Sequence, residues 1–169
     1  MHLRAVDMSD IPRLQEIEKL ARSRYLAEPD LVFAADTPPI SANRLEEGEV
    51  IVAEEDGHAI GFVLLNELDH MLYIANVSVD IGLSGRGVGA QLIRAAVDLA
   101  RTRGLSALTL ATFNRPRWNG PWFRRLGFSP MPKPLIGPGL NAILRRHGQY
   151  LDMTTRETLW RPVSGSKPE

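Results

Sequence analysis

Val77-Ser78-Val79-Asp80-Ile81-Gly82-Leu83-Ser84-Gly85-Arg86-Gly87-Val88-Gly89-Ala90 decides how this chain of 169 residues is read. An apolar segment, Met71 to Val79, leads into the glycines. Behind them Val88, Leu92, Ala95, Ala96 and Leu99 recur at helical spacing until Gly104 stops the run. A glycine cluster between a strand and a helix lets the backbone approach a ligand closely and aims the N–H groups of the helix start at an anion. The stretch reads as a place to hold a diphosphate.

Two other phosphate motifs compete for it. Gly85-x-Gly87-x-x-Ala90 satisfies the loose dinucleotide fingerprint, which is followed by an acidic residue about 20 positions on. Thr109, Leu110, Ala111, Thr112 and Phe113 stand there, and none is acidic. A nucleoside-triphosphate loop needs a Lys-Ser or Lys-Thr pair after its glycines, and none follows. A glycine-rich turn without a ligand is the plain alternative.

Composition sets the outer limits. A chain of this length suits one domain, residues 1–163, able to bury roughly two-thirds of its unfolded surface. Residues 164–169 are expected as a disordered tail. Apolar residues at 44% and charged residues at 24% are ordinary for a soluble globular protein. A formal net charge of zero removes the global electrostatic case for nucleic acid or an anionic membrane as partner. With no cysteine, a disulfide framework, thiolate metal ligands and a cysteine nucleophile are excluded. No metal site is expected, because Glu46, Glu47, Glu49, Glu54, Glu55 and Asp56 read as a solvated surface. No apolar run reaches membrane-spanning length and the N-terminus lacks a long apolar stretch, so a cytoplasmic location is the expectation.

Around the glycine stretch the elements fall into order. Leu3 to Val6 forms a short strand, and Ser9 or Asp10 caps a helix with Pro12 in its first turn. Leu14, Ile17, Leu20 and Ala21 share the face expected to be buried. Pro29, Pro38 and Pro39 break the segment from Glu28 to Ile40, a candidate substrate-side loop or a plain connection, before Ser41 opens a short helix through Glu47. Val50 to Ala53 and Ile60 to Leu65 are strands joined by Asp56-Gly57, a hairpin signal, and the meander continues through Asn66 to His70 into Met71 to Val79. Leu105 to Phe113 follows the long helix as a strand parallel to Met71 to Val79. Trp118 to Leu126 is a short helix, Phe128 to Met131 a strand, Gly139 to Gln149 a helix, and Thr155 to Pro162 a last strand. The apolar edge near Thr155 to Trp160 permits pairing with a second copy, so a homodimer is possible.

With these elements in place, Val77-Ser78-Val79-Asp80, Ser84-Gly85-Arg86-Gly87-Val88-Gly89-Ala90 and Trp118-Asn119-Gly120-Pro121-Trp122-Phe123-Arg124-Arg125-Leu126-Gly127-Phe128 together resemble the GNAT superfamily of N-acetyltransferases over nearly the whole chain. The resemblance implies an α+β fold in αβα layers: a mixed, mostly antiparallel sheet of about seven strands flanked by helices. It also implies acetyl-coenzyme A as co-substrate, its pantetheine arm entering where the parallel strands Met71 to Val79 and Leu105 to Phe113 splay. By position, the backbone of Val77, Ser78 and Val79 is expected to pair with the pantetheine amides, and Ser84, Gly85, Arg86, Gly87, Val88, Gly89 and Ala90 to surround the diphosphate. Asn119, Trp122 and Phe123 fall near the coenzyme, although Asn119 also reads as a helix cap.

Three positions depart from the family pattern. Ser84 stands where relatives carry Gln or Arg, with the backbone donors kept and Arg86 as a further source of charge. Phe123 stands where many carry a Tyr that protonates the leaving thiolate, and core packing is its better reading. Ala75-Asn76 occupies the neighbourhood of a Glu that accepts the amine proton; Glu67, Asp69 and His70 are the candidate substitutes, acting through a water held by Asn76. As plain turn residues, those three need only be solvated. The implied reaction is direct acetyl transfer to a primary amine of a small molecule or peptide. The competing class is an acetyl-coenzyme A sensor or scaffold with little turnover.

Overall fold

The computed structural model describes residues 1–163, and the expected tail lies outside the described residues. The chain forms β1 (His2–Ala5), α1 (Ile11–Arg22), α2 (Ala42–Glu47), β2 (Glu49–Glu55), β3 (His58–Leu68), β4 (Met71–Val79), α3 (Val88–Thr102), β5 (Ala107–Phe113), α4 (Gly120–Arg125), β6 (Ser129–Pro130), α5 (Pro138–Gly148) and β7 (Arg156–Pro162). The seven strands make one mixed sheet in the order β1-β2-β3-β4-β5-β7-β6. β4 and β5 run parallel, whereas β1–β2, β2–β3, β5–β7 and β6–β7 run antiparallel. This is the expected α+β arrangement, a seven-stranded sheet flanked by helices.

The described residues fall into two compact units, one of Met1–Asn66 with Ala75–Ala95 and one of Glu67–Ile74 with residues 96–163. In the first, α1 and α2 supply Ile11, Leu14, Ile17 and Leu45 to a core completed by Ile40, Val50, Val52, Ala59, Phe62 and Leu64. The buried face of α1 is Ile11, Leu14, Ile17 and Glu18, and Leu20, expected inside, is 41% exposed. The reason is helical drift: nine residues at 100° each turn Leu20 roughly 180° from Ile11. Between β2 and β3, Asp56 and Gly57 both adopt positive φ, 52° and 77°, the geometry of the tight hairpin that the Asp-Gly pair signals.

The entry to α1 is more elaborate than a single cap. Asp10 stands at the N-cap of α1 without a side-chain cap of its own, and in the turn before it Asp7 accepts the Ser9 N–H at 2.9 Å while the Asp7 N–H donates to the Asp10 carboxylate at 2.8 Å. Arg4 on β1 donates to both Asp10 oxygens, at 2.7 and 2.9 Å, and pairs with Glu54 on β2. The Arg4 hydrogen bond holds the Asp10 carboxyl below its ordinary range. A carboxylate so lowered contributes stability above its unfolded pKa of about 3.9 and loses it as pH falls through the lower folded value. Asp10→Asn is therefore expected to cost about 1 kcal/mol near pH 7 and progressively less below about pH 4, as read by paired denaturant titrations.

In the second unit, Leu72↔Leu108 and Tyr73↔Thr109 register the parallel pair. β7 is not the edge strand expected from Thr155 to Trp160. Its residues pair with β5 from Ala107↔Pro162 to Phe113↔Arg156, and with β6 at Ser129↔Trp160 and Pro130↔Leu159. The strand expected at Phe128 to Met131 is β6, shortened to Ser129–Pro130, and it returns to pair with β7 on the side expected to be open. The backbone groups offered for homodimer pairing at Leu159 and Trp160 thus serve the sheet itself.

Candidate active site

β4 reaches the glycine loop through a pinned corner. The Asp80 N–H donates to the Ile60 carbonyl at 2.8 Å, its carboxylate accepts the Gly82 N–H at 2.9 Å, and Arg13 pairs with it from α1. Gly61 on β3 permits the close packing here, since a Cβ on it would stand 3.0 Å from the Ser78 carbonyl and 3.3 Å from Val88. Val88 is buried and anchors the start of α3.

The loop beyond this corner has the backbone that anion binding needs. Gly85 and Gly87 sit at φ of 85° and 83°, a region open to glycine and strained for other residues. A Cβ built on either would meet nothing within 4 Å. Main chain, with no side chain in front of it, is therefore presented to a ligand. The first hydrogen bond of α3 runs from the Gln91 N–H to the Gly87 carbonyl at 3.1 Å. The N–H groups of Val88, Gly89 and Ala90 precede it, in the turn where a helix has no internal acceptors and its dipole favours negative charge. Arg86, expected to add charge, donates to both Glu55 oxygens at 3.1 and 3.2 Å. Ser84 is exposed, and its hydroxyl accepts from Arg24 at 3.4 Å.

On β4 itself a polar chain runs inward. The Ser78 hydroxyl donates to Asn76 Oδ1 at 2.8 Å, and Asn76 Nδ2 donates to Glu18 Oε1 at 3.2 Å. Glu18 is 1% exposed, accepts the Ile40 N–H at 2.6 Å and pairs with Arg22. Burial pushes its carboxyl above the ordinary range, against the opposing pull of the Ile40 N–H and Arg22. The carboxylate bonded to Asn76 is thus Glu18, which the sequence reading passed over. A signal existed: Glu18 lies one turn from Leu14 on the apolar face of α1 and four residues before Arg22.

The substitutes named from sequence are placed otherwise. Asp69, in the β3–β4 turn, accepts the Gly139 and Leu140 N–H groups at 2.8 and 2.7 Å and so caps α5. Gly137 and Gly139 make the approach possible, because a Cβ on Gly139 would lie 2.9 Å from Asp69 Oδ1. His70 is exposed at a φ of 59°, and its carbonyl accepts the Ser106 N–H and hydroxyl. Glu67 is exposed near the end of β3. Asp69→Ala is expected to lower stability by about 1–2 kcal/mol through loss of the α5 cap, seen as a drop of a few degrees in Tm.

The residues of α4 divide between packing and polar contact. Phe123 is buried, with its ring edge-on to Trp122 at 4.8 Å and to Phe128 at 5.4 Å, which is the core role expected for it. Asn119 caps α4 through its carbonyl, which accepts the Trp122 and Phe123 N–H groups, while its side chain donates to Thr112 on β5 at 3.1 Å. Among the described residues, no group of three or more His, Asp or Glu is placed to hold a metal ion. Among them, too, no helix is long and apolar enough to cross a membrane.

A seven-stranded mixed sheet with a glycine loop between β4 and α3 defines the class of acyl-coenzyme A N-acyltransferase folds. The Acetyltransferase (GNAT) family matches residues 12–128, more than half of the sequence, and the chain belongs to that family of transferases. Solved structures agree on the fold. The ribosomal-protein-S18-alanine N-acetyltransferase from Escherichia coli superposes with a TM-score of 0.69 at 14% identity, over 99% of this chain and 97% of that one. The PaiA N-acetyltransferase from Thermoplasma acidophilum, in complex with coenzyme A, gives 0.71 at 12% identity over 95% and 98%. N-acetylglutamate synthase from Neisseria gonorrhoeae, complexed with coenzyme A and N-acetyl-glutamate, gives 0.68 at 21% identity over 96% of this chain and 35% of that one.

Proposed function

We propose that the protein transfers acetyl from acetyl-coenzyme A directly to a primary amine of a small molecule or peptide. The observation that carries the reading is the cradle: two glycines at positive φ with clear space before them, opening onto the first turn of α3. Those residues fit a diphosphate, which needs converging N–H donors and no intruding side chain. The N–H groups of Gly85 and of Gly87 through Ala90 hold the diphosphate, the Arg86 N–H being given to the Leu83 carbonyl, and the backbone of Val77, Ser78 and Val79 takes the pantetheine amides as an added strand. When bound, the coenzyme supplies an activated acetyl thioester. Solved relatives crystallised with coenzyme A support this choice of donor.

The chain's own residues then govern charge and protons. A main-chain N–H near Val77 or Ser78 is the donor for negative charge developing on the acetyl oxygen. An alkylamine of pKa about 10.4 must give up a proton first, at a cost of roughly 4–5 kcal/mol at pH 7. The Asn76 carboxamide, held by Glu18 and Ser78, fixes the water that takes it. A leaving thiol of pKa about 8.5 departs as the anion, so Phe123 in place of an acid is tolerable. An E. coli relative acting on a ribosomal protein's alanine and a Neisseria relative bound to N-acetyl-glutamate favour an amine acceptor.

Thiol release from acetyl-coenzyme A, measured across amines, amino acids and peptides, tests the proposal. Acceptor-dependent release supports it. Tight coenzyme binding with no acceptor-dependent release points instead to a sensor or scaffold, and a burst of acetylated enzyme without acceptor overturns direct transfer.

A further inference from the structure

The zero net charge of the chain hides an uneven distribution. Residues 99–151 carry eight arginines and one lysine, and no Asp or Glu stands among them. The structure gathers the middle of this stretch around the end of α4. Pro116 is buried, and Arg115 and Arg117 on either side of it are exposed. Arg125 donates from Nη2 to the Arg117 carbonyl at 3.4 Å, which brings the last residue of α4 against that loop. From β7, Arg161 donates from Nη1 to the Leu126 carbonyl at 3.0 Å, and Glu157 pairs with Arg124. Among the described residues, Glu157 is the one carboxylate paired with any of these five arginines. Arg125 and Arg161 give their hydrogen bonds to neutral carbonyls, so their charge stays uncompensated. Like charges gathered in this way repel one another, and a bound polyanion relieves the repulsion.

We propose that the surface formed by Arg115, Arg117, Arg124, Arg125 and Arg161 binds the phosphodiester backbone of a nucleic acid strand. Each guanidinium offers a planar fork of N–H donors that fits phosphate oxygens two at a time, and Arg outnumbers Lys throughout the stretch. Trp118, half-buried beside Arg117, supplies an aromatic ring of the kind on which bases stack. A lipid surface fits less well, since none of the exposed large apolar residues lies between 114 and 130. The overall charge of zero speaks against attraction from afar. Direct contact depends instead on the local charge, because salt screens more distant groups beyond about 8 Å.

Fluorescence anisotropy with labelled single-stranded RNA, and with DNA of the same sequence, across a salt series tests the proposal on the full chain. Four uncompensated charges predict a slope of log affinity against log salt of about −3. Arg115→Gln, Arg117→Gln and Arg125→Gln together are expected to reduce the slope to about −1 and to weaken binding about 10- to 100-fold at about 0.1 M salt. The same loss of charge through Lys19→Gln, Arg44→Gln and Arg94→Gln, at exposed positions of the first unit, is expected to leave both unchanged. Substitutions at such exposed positions leave the fold intact, which thermal melts check. Binding of either strand that the first triple variant loses supports the proposal, and the tighter of the two names the strand. Equal losses in the two triple variants would reduce the effect to net charge and overturn it. So would displacement of the strand by coenzyme A, or failure to bind either strand at low salt, whether or not poly-glutamate or anionic lipid vesicles bind.

Discussion

Gly87→Val is expected to weaken coenzyme A binding by at least 100-fold while the protein still folds. The residue sits at a φ of 83°, where a β-branched side chain is strained by about 1–3 kcal/mol. A Cβ there meets no protein atom within 4 Å, so the added bulk clashes with nothing in the folded chain. Its branches instead enter the space through which a diphosphate must approach the main chain. Relief of the backbone strain also turns the neighbouring N–H groups away from convergence. A 100-fold loss corresponds to about 2.7 kcal/mol, the scale of two charge-assisted hydrogen bonds.

Gly104→Val provides the matched control. Gly104 ends α3 at a φ of 67°, and a Cβ on it likewise meets nothing within 4 Å. Both variants should lose comparable stability in thermal melts. Coenzyme binding, measured by calorimetry, should fall in Gly87→Val alone. Equal affinities in the two variants would mean that the glycine loop takes no part in binding, and the cradle reading would fail.

The glycine loop was legible in sequence because its signals are local. A strand pattern, a cluster of glycines and a helical period adjoin one another, and each is set by residues a few positions apart. The Asp56-Gly57 hairpin and the Ser41 cap of α2 were legible for the same reason; Ser41 accepts the Arg44 N–H at 3.4 Å. What the sequence hid were partnerships across long separations. Asp69 reads as a solvated turn residue until α5, seventy residues on, turns out to need its carboxylate. β7 reads as an edge because nothing local to Phe128 to Met131, read as a strand, tells that it pairs with a segment some thirty residues on.

Glu18 shows the same limit in the site itself. Along β4 and its entering turn the sequence offers Glu67, Asp69 and His70 as proton acceptors, all near Asn76 in the chain. The carboxylate that bonds Asn76 lies 58 residues away, on a helix whose periodicity shows in its apolar members. A charged residue on an apolar stripe is costly to bury without partners, so its presence there was itself the clue.

That cost makes Glu18→Ala the substitution with the largest expected effect on stability. Glu18 receives hydrogen bonds from the Ile40 N–H, Asn76 Nδ2 and Arg22, and is 1% exposed. Alanine strands these donors and leaves the Arg22 charge without its carboxylate, a change worth about 3–5 kcal/mol. For a chain of this length that is a fall in Tm of roughly 10 °C. Glu18→Gln should rescue little, because its amide brings a further donor to a point where three donors already converge. Glu18→Met with Arg22→Met should recover more than Glu18→Ala, since it removes both charges and restores volume. The pH dependence carries a sign as well. A carboxyl raised in the folded state contributes stability that is fully present below its unfolded pKa of about 4.3 and is lost as pH rises through the folded value. The stability gap between wild type and Glu18→Ala should therefore be wider near pH 4 than at pH 7 in denaturant titrations. A gap that widens toward pH 7 would mean that the three donors outweigh burial, and that Glu18 is held as a carboxylate by its partners.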